Sequence, residues 1–312
     1  DLHSFPTRRS SDLVVEFSIE DGPGIRTTVF LKGCPLSCLW CHNPELISEE
    51  QQLMQSPNNC ISCGHCVEIC PHSALAMNEE GRITVNRDRC DVCLRCADEC
   101  YAQALRPVAK AMTASEILDI VEQDKSFYTE TGGGLTISGG ELLMHADSVI
   151  ELIEEAGLKG INVCLDTSGF GDSASLMTMA LKENVTDILY DIKSLDDRIH
   201  RKYAGAGNQL IIDNLVMLAS DDRVLRKVTV RMPLIGGVND GEEIIKRTGD
   251  FLKEIGLCKV SLLPYHNLGI RKQNNIGGEQ REFNKPETER LKEIELYFRE
   301  KIDLNVEVLG MI

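Results

Sequence analysis

The sequence predicts an α/β protein: an open, partial parallel barrel of six β/α units, (β/α)6, interrupted by a small α+β domain. Three observations predict it. After Pro107, short apolar strands and helix-forming stretches alternate almost to the C-terminus, which is the pattern of a parallel sheet with helices outside. Residues 53–107 break that pattern with eight cysteines in two matching runs. Finally, a strand at Thr27–Leu31 leads directly into loop 33–44, which carries Cys34, Cys38 and Cys41.

The 312 residues suffice for one large domain and one small one. A hydrophobic share of 42% implies a packed core. The net charge of -16 argues against a nucleic-acid partner, whose phosphates would be repelled. No stretch is long and apolar enough to span a bilayer. After Arg8 and Arg9 the apolar run is only Leu13–Val15 before Glu16, too short for a signal peptide. Thirteen cysteines, mostly at metal-ligand spacing, read as reduced thiolates in a cytoplasmic setting.

Residues 1–12 are Ser- and Arg-rich without period and read as a foreign or disordered leader outside the fold. The barrel is assigned to 13–52 and 108–312, and the insert to 53–107. Asp21–Arg26 is a Pro-Gly turn before the strand at 27–31. In the insert, Cys60, Cys63, Cys66 and Cys70 return thirty residues later as Cys90, Cys93, Cys96 and Cys100. Each run is C-x2-C-x2-C-x3-C, the two-cluster ferredoxin pattern, in which the fourth cysteine ligates the other cluster. Cys60, Cys63, Cys66 and Cys100 would hold one 4Fe-4S cluster, and Cys90, Cys93, Cys96 and Cys70 the second. A pair of zinc knuckles is the plain alternative, but zinc does not need this rhythm twice. A short strand fits Arg82–Val85 between the runs.

Thr113 or Ser115 caps a helix reaching Lys125. Strands follow at 135–138, 161–165, 187–192, 226–232 and 259–263, with helices at 146–156, 174–183, 210–219 and 242–255 between them. A helix at 286–300 and a strand at 304–309 close the chain. Six strands before the last helix are too few for a closed eight-stranded barrel, so a TIM-like barrel is expected to stay partial. Polar motifs follow the strand ends: Gly139-Gly140-Glu141, Asp166-Thr167, Asp191 with Lys193, and Tyr265-His266. Active sites of parallel barrels lie at strand C-terminal ends. Cys164 and Cys258 fit no spacing and read as buried core cysteines.

The loop of Cys34, Cys38 and Cys41 is one thiolate short of a full cluster set, which suggests an iron with an open position. A zinc loop lacking a fourth ligand is the plain alternative. With DGPGIR before this loop, HNPE after it, and the strand-end motifs, the chain resembles the glycyl-radical-enzyme activating enzymes of the radical S-adenosylmethionine superfamily. It is similar to the pyruvate formate-lyase activase, with a ferredoxin insert added. The resemblance implies an anaerobic oxidoreductase that reductively cleaves S-adenosylmethionine at a 4Fe-4S cluster. The 5′-deoxyadenosyl radical then abstracts a hydrogen from a backbone glycine of a partner enzyme. Glycine suits that target, since no side chain blocks its α-hydrogen.

The resemblance also implies roles. Cys34, Cys38 and Cys41 hold the reactive cluster. Gly139, Gly140 and Glu141 face the ammonium of S-adenosylmethionine, unless Glu141 is simply a capping residue. Leu142 stands where the family usually has proline. Asp166, Thr167 and Asp191 help build a monovalent-cation and cofactor site. Lys193 joins them or pairs structurally with Asp191. Arg231 and His266 contact the carboxylate or ribose. Trp40 packs over the adenine or cluster, and Asp21 lies near the partner's glycine loop or merely forms the turn. The partners implied are a glycyl radical enzyme and a low-potential donor such as flavodoxin or ferredoxin. Two other readings are a radical maturase of a peptide or small molecule, and a ferredoxin-like electron carrier.

Overall fold

The computed structural model describes residues 5–7 and 14–310. Its main sheet has ten strands. In chain order the strands are β1 (Phe5–Thr7), β2 (Val14–Ser18), β3 (Arg26–Leu31), β4 (Leu53–Gln55), β5 (Leu75–Met77), β6 (Ile83–Val85), β7 (Leu105–Pro107) and β8 (Lys110–Met112). Then come β9 (Gly134–Gly139), β10 (Val163–Thr167), β11 (Val185–Asp191), β12 (Val228–Leu234), β13 (Lys259–Pro264) and β14 (Asn305–Val308). The sheet order is β14-β13-β12-β11-β10-β9-β3-β1-β8, with β2 beside β3. Neighbours from β3 through β9 to β14 are all parallel. The path does not close, so the barrel is open, as the strand count required. Strand β14 adds a seventh parallel strand beyond the six β/α units.

The parallel strands read as apolar runs because helices cover them. Leu135, Ile137, Val163, Leu165, Ile188, Val230 and Leu262 are buried in one continuous core. Burial of each such side chain contributes roughly 1.5–3 kcal/mol. Thr113 caps its helix in a reciprocal box: its hydroxyl accepts from the Glu116 N–H, and the Glu116 carboxylate accepts from the Thr113 N–H. The helix stops at Val121, and Lys125 opens a second one, Lys125–Thr131.

Several expectations need correction. Residues 5–7, assigned to a leader outside the fold, form β1, which pairs antiparallel with β3 and β8. Main-chain pairing asks little of sequence, so a strand edge can recruit an unpatterned segment. The rest of 1–12 lies outside the described residues. Strand β12 runs through Pro233 to Leu234. Cys258 is exposed, because it precedes β13 while Leu257 beside it takes the buried direction. Cys164 is buried in β10, as expected. Two helices, Asp197–Ala204 and Leu268–Asn275, lie in stretches to which no element was assigned.

Segment 53–107 leaves and returns at one place, since Leu53 pairs with Pro107. It has its own small core of Leu53, Leu75, Ile83, Cys96, Ala97 and Leu105, against which Cys60, Cys66, Cys70, Cys90 and Cys100 pack.

Candidate active site

A cavity of about 660 Å³ opens at the C-terminal ends of the parallel strands. Cys34, Cys38 and Cys41 line it, with Asp21, Trp40, Gly139, Gly140, Asp166, Thr167, Asp191, Lys193, Arg231 and His266. The fold thus brings together residues up to 245 positions apart, from Asp21 to His266. Its size fits a small-molecule pocket.

The cysteine loop is held by main chain. Gly33 and Cys34 N–H groups donate to Leu46 and Ile47 carbonyls at 2.7 and 2.9 Å. The N–H groups of Ser37 and Leu39 donate to Ala204 and Tyr203 at the end of helix Asp197–Ala204, at 2.9 and 2.8 Å. Burial pushes the Cys34 and Cys41 thiols up to about 12, and Cys38 moves in the same direction. Lys193 pulls all three the other way. Such thiols become ligands when a metal displaces their protons.

Opposite the cysteines lies a buried charge cluster. Arg231 Nη1 is 3.3 Å from Asp166 Oδ2, and Arg231 Nε is 3.6 Å from Asp191 Oδ1. Lys193 Nζ donates to Asp191 Oδ2 at 2.9 Å, and the Ser138 hydroxyl donates to Asp166 at 2.6 Å. Burial raises the Asp166 carboxyl to about 6, against the pull of Arg231. Burial would raise Asp191 too, but Lys193 and Arg231 prevail and hold it below the usual range. Both cations are held above their ordinary values by these carboxylates. Arg231 Nε and Nη1, Asp191 Oδ1 and His266 Nδ1 are buried without a hydrogen-bond partner. Buried polar atoms left this way are costly. Arg231 Nε and Nη1 meet Asp191 and Asp166 in ion pairs that miss hydrogen-bond geometry, so charges of both signs border the cavity, and the set fits a zwitterion such as S-adenosylmethionine.

The two glycines are explained by packing rather than by ligand approach. A Cβ on Gly139 would meet Leu31 backbone at 2.2 Å, and one on Gly140 would meet the Gly33 carbonyl at 2.0 Å. Their backbone still faces the cavity. Glu141 does not. Its buried carboxylate accepts from Leu143 N–H (3.1 Å), the Thr167 hydroxyl (2.6 Å), and the Ser168 N–H and hydroxyl (2.8 and 2.5 Å). With every lone-pair direction taken, it ties the end of β9 to the end of β10 rather than facing an ammonium.

Trp40 is buried among aromatics, 5.7 Å from the Tyr203 ring and 5.8 Å edge-on from Phe283, while also bordering the cavity. Asp21 accepts from Ser18 and Thr28 hydroxyls at 2.6 and 2.8 Å, so it secures the turn as well as facing the cavity. Residues the sequence reading missed include Ser138, Ser168, His42 and Lys272. His42 packs edge-on against His266 at 4.3 Å; burial, then Lys272, lowers it to about 3, so it stays neutral. Its position directly after Cys41 was the signal for it.

An open parallel barrel with three loop cysteines beside a charged ligand pocket defines a class, and the family comparison agrees. The Radical SAM superfamily model matches residues 28–248, and the chain belongs to that superfamily. Among curated relatives, the isethionate sulfite-lyase activating enzyme of Desulfovibrio desulfuricans is 37% identical over 270 residues, covering 85% of this chain and 86% of its own. The trans-4-hydroxy-L-proline dehydratase activating enzyme of Clostridioides difficile is 39% identical over 298 residues, covering 94% and 96%. Within the superfamily the chain is one of the activating enzymes of glycyl radical enzymes. The solved structure of Streptococcus suis SuiB with precursor peptide SuiA shares the fold, with a TM-score of 0.55 at 14% identity, covering 91% of this chain and 48% of that one.

Proposed function

We propose that this chain installs a glycyl radical on a partner lyase or dehydratase, with the 660 Å³ cavity as the site of S-adenosylmethionine binding. One observation carries the assignment: three thiols that cannot complete a ligand set line the same cavity as the charge cluster of Asp166, Asp191, Lys193 and Arg231 and the ring of His266. When bound, the cluster and S-adenosylmethionine supply the radical that takes hydrogen from the partner's glycine. The chain's own residues do the rest. Cys34, Cys38 and Cys41 hold the cluster. Arg231 would pair with the carboxylate, the Gly139 and Gly140 backbone would border the ammonium, and His266 would border the ribose. Asp166, Asp191 and Thr167 offer oxygens to a monovalent cation, with Lys193 balancing their charge. Trp40 closes the wall, and Asp21 stands at the rim where the partner's glycine loop arrives.

The insert reads as a ferredoxin-like domain with two 4Fe-4S clusters that relay electrons inward. Its backbone supports this. Positive φ angles recur at the thirty-residue period: Ser62 at 60° and Val92 at 59°, Gly64 at 75° and Leu94 at 63°, Ser73 at 48° and Gln103 at 54°. A β-branched residue such as Val92 adopts that conformation only under constraint. Two equivalent loops wound the same way around their cysteines supply such a constraint, and successive N–H groups so arranged form anion-binding concavities.

No helix among the described residues is long and apolar enough to cross a membrane. All thirteen cysteines are free, which suits a reducing compartment, and we place the enzyme in the cytoplasm with flavodoxin or ferredoxin as donor. The test is anaerobic incubation with dithionite and S-adenosylmethionine, with and without a candidate glycyl radical enzyme. The expected result is methionine and 5′-deoxyadenosine, plus a glycyl doublet in the electron paramagnetic resonance spectrum of the partner. Product formation without a doublet on any partner would favour the maturase, and no cleavage would leave an electron carrier.

A further inference from the structure

Segment 268–280 touches the cysteine loop at three points and the insert at two. Helix Leu268–Asn275 begins against the loop: a Cβ on Gly269 would lie 2.2 Å from the Cys41 carbonyl oxygen. Lys272 Nζ donates to Asn43 Oδ1 at 2.5 Å and lies 3.8 Å from Glu45 Oε1. Gln280 Nε2 donates to the carbonyls of both Cys41 (2.9 Å) and Leu39 (3.2 Å). From the other side, Tyr203 and Ala204 take the loop's N–H groups. Arg87 in the insert, three residues before Cys90, donates to the Asn275 carbonyl at 3.1 Å and to that of Leu53 at 2.5 Å. Its guanidinium also packs at Gly277, where a Cβ would come within 2.7 Å of Nε.

We propose that segment 268–280 is a clasp, with Gln280 as a positioning residue that fixes the peptide planes around Cys41 and Arg87 linking that position to the insert. The proposal rests on the reading that Cys34, Cys38 and Cys41 hold a cluster. A cluster's potential follows the dipoles and hydrogen bonds around its sulfurs. Two carbonyls pinned by one amide hold those dipoles in one orientation, and a glutamate of the same size cannot donate to them.

The test uses reconstituted full-length wild type, Gln280→Leu, Gln280→Glu and Arg87→Leu. A Cys38→Ala control identifies which resonance signal belongs to the loop cluster. Both Gln280 variants are expected to alter that signal's line shape and midpoint potential while the insert's signals stay as in wild type. The loosened loop would weaken S-adenosylmethionine binding about tenfold, a change of about 1.4 kcal/mol. Arg87→Leu should perturb the same signal less. Selective loss of the loop cluster in a Gln280 variant also supports the clasp. Unchanged line shape, potential and affinity in both Gln280 variants overturn it, and so does an equal disturbance of all clusters, which would mark general destabilisation. If Cys38→Ala removes no signal from wild type, the underlying cluster reading fails instead.

Discussion

The two cysteine-rich regions differ in what surrounds their thiols. Around Cys34, Cys38 and Cys41 there is a cavity of about 660 Å³ walled by Asp166, Asp191, Lys193 and Arg231. Around the insert's eight cysteines there is a six-residue apolar core, and Cys63 and Cys93 are exposed. The first region leaves space and charge for a molecule next to an incomplete ligand set. The second packs its cysteines against its own apolar core and leaves two of them exposed. The difference separates a site open to a ligand from a segment packed around its own cysteines.

The comparison is broken most severely by Cys38→Ala. S-adenosylmethionine cleavage should fall below detection while iron analysis and spectroscopy still show two clusters. Retained cleavage would move the chemistry to the insert and reverse the assignment. The exposed insert cysteines should behave differently. Cys63→Ala and Cys93→Ala should preserve cleavage driven by dithionite. With flavodoxin as donor they should slow it by at least about tenfold, a barrier increase of roughly 1.4 kcal/mol. Full activation of a partner by either variant with the protein donor would remove the relay role and leave the insert as a docking domain.

A finer test lies within the charged wall. Burial raises Asp166 to about 6, so its carboxylate is ionised above that pH and protonated below it. A folded-state value above the ordinary one means that this group favours folding at low pH. That contribution is lost as pH rises from about 4 through 6. A monovalent cation needs the ionised form. Its stabilisation of the reconstituted protein, read as a melting-temperature increase with added potassium, should be larger at pH 7.5 than at pH 5.5. Cation affinity should drop about tenfold per pH unit below 6. Asp166→Asn should flatten the dependence. An unaltered potassium effect across that range in wild type would place the cation elsewhere.

The parts of the site that were legible in the sequence are those whose residues carry chemistry locally. Cysteine spacing is read along the chain, and acidic or basic residues after an apolar strand announce a strand end. The parts that were not legible depend on distance. Gln280 meets Cys41 across 239 positions, and Glu141 meets Ser168 across 27. Helix Asp197–Ala204 reads DRIHRKYA, short and mostly polar, with only His200 and Ala204 buried, yet its terminal carbonyls hold the cysteine loop. The open parallel α/β barrel was legible because alternation is a summed signal over many residues. Single assignments such as Cys258 failed because burial at an element end turns on which way one side chain points.

Glu141 gives the sharpest choice between two roles. If it met the ammonium of S-adenosylmethionine, Glu141→Gln would weaken binding and leave folding nearly untouched. The four donors on its carboxylate predict the reverse order. A glutamine keeps one acceptor oxygen and turns an N–H₂ toward groups that also donate. The expected cost is about 1–3 kcal/mol in unfolding free energy, with binding weakened only through a loosened strand end. Ser168→Ala removes one of the same donors and should cost less. The double variant should be less destabilised than the sum, because both changes act on one buried network. Strict additivity in that cycle, together with an unchanged melting temperature for Glu141→Gln, would return Glu141 to the ligand pocket.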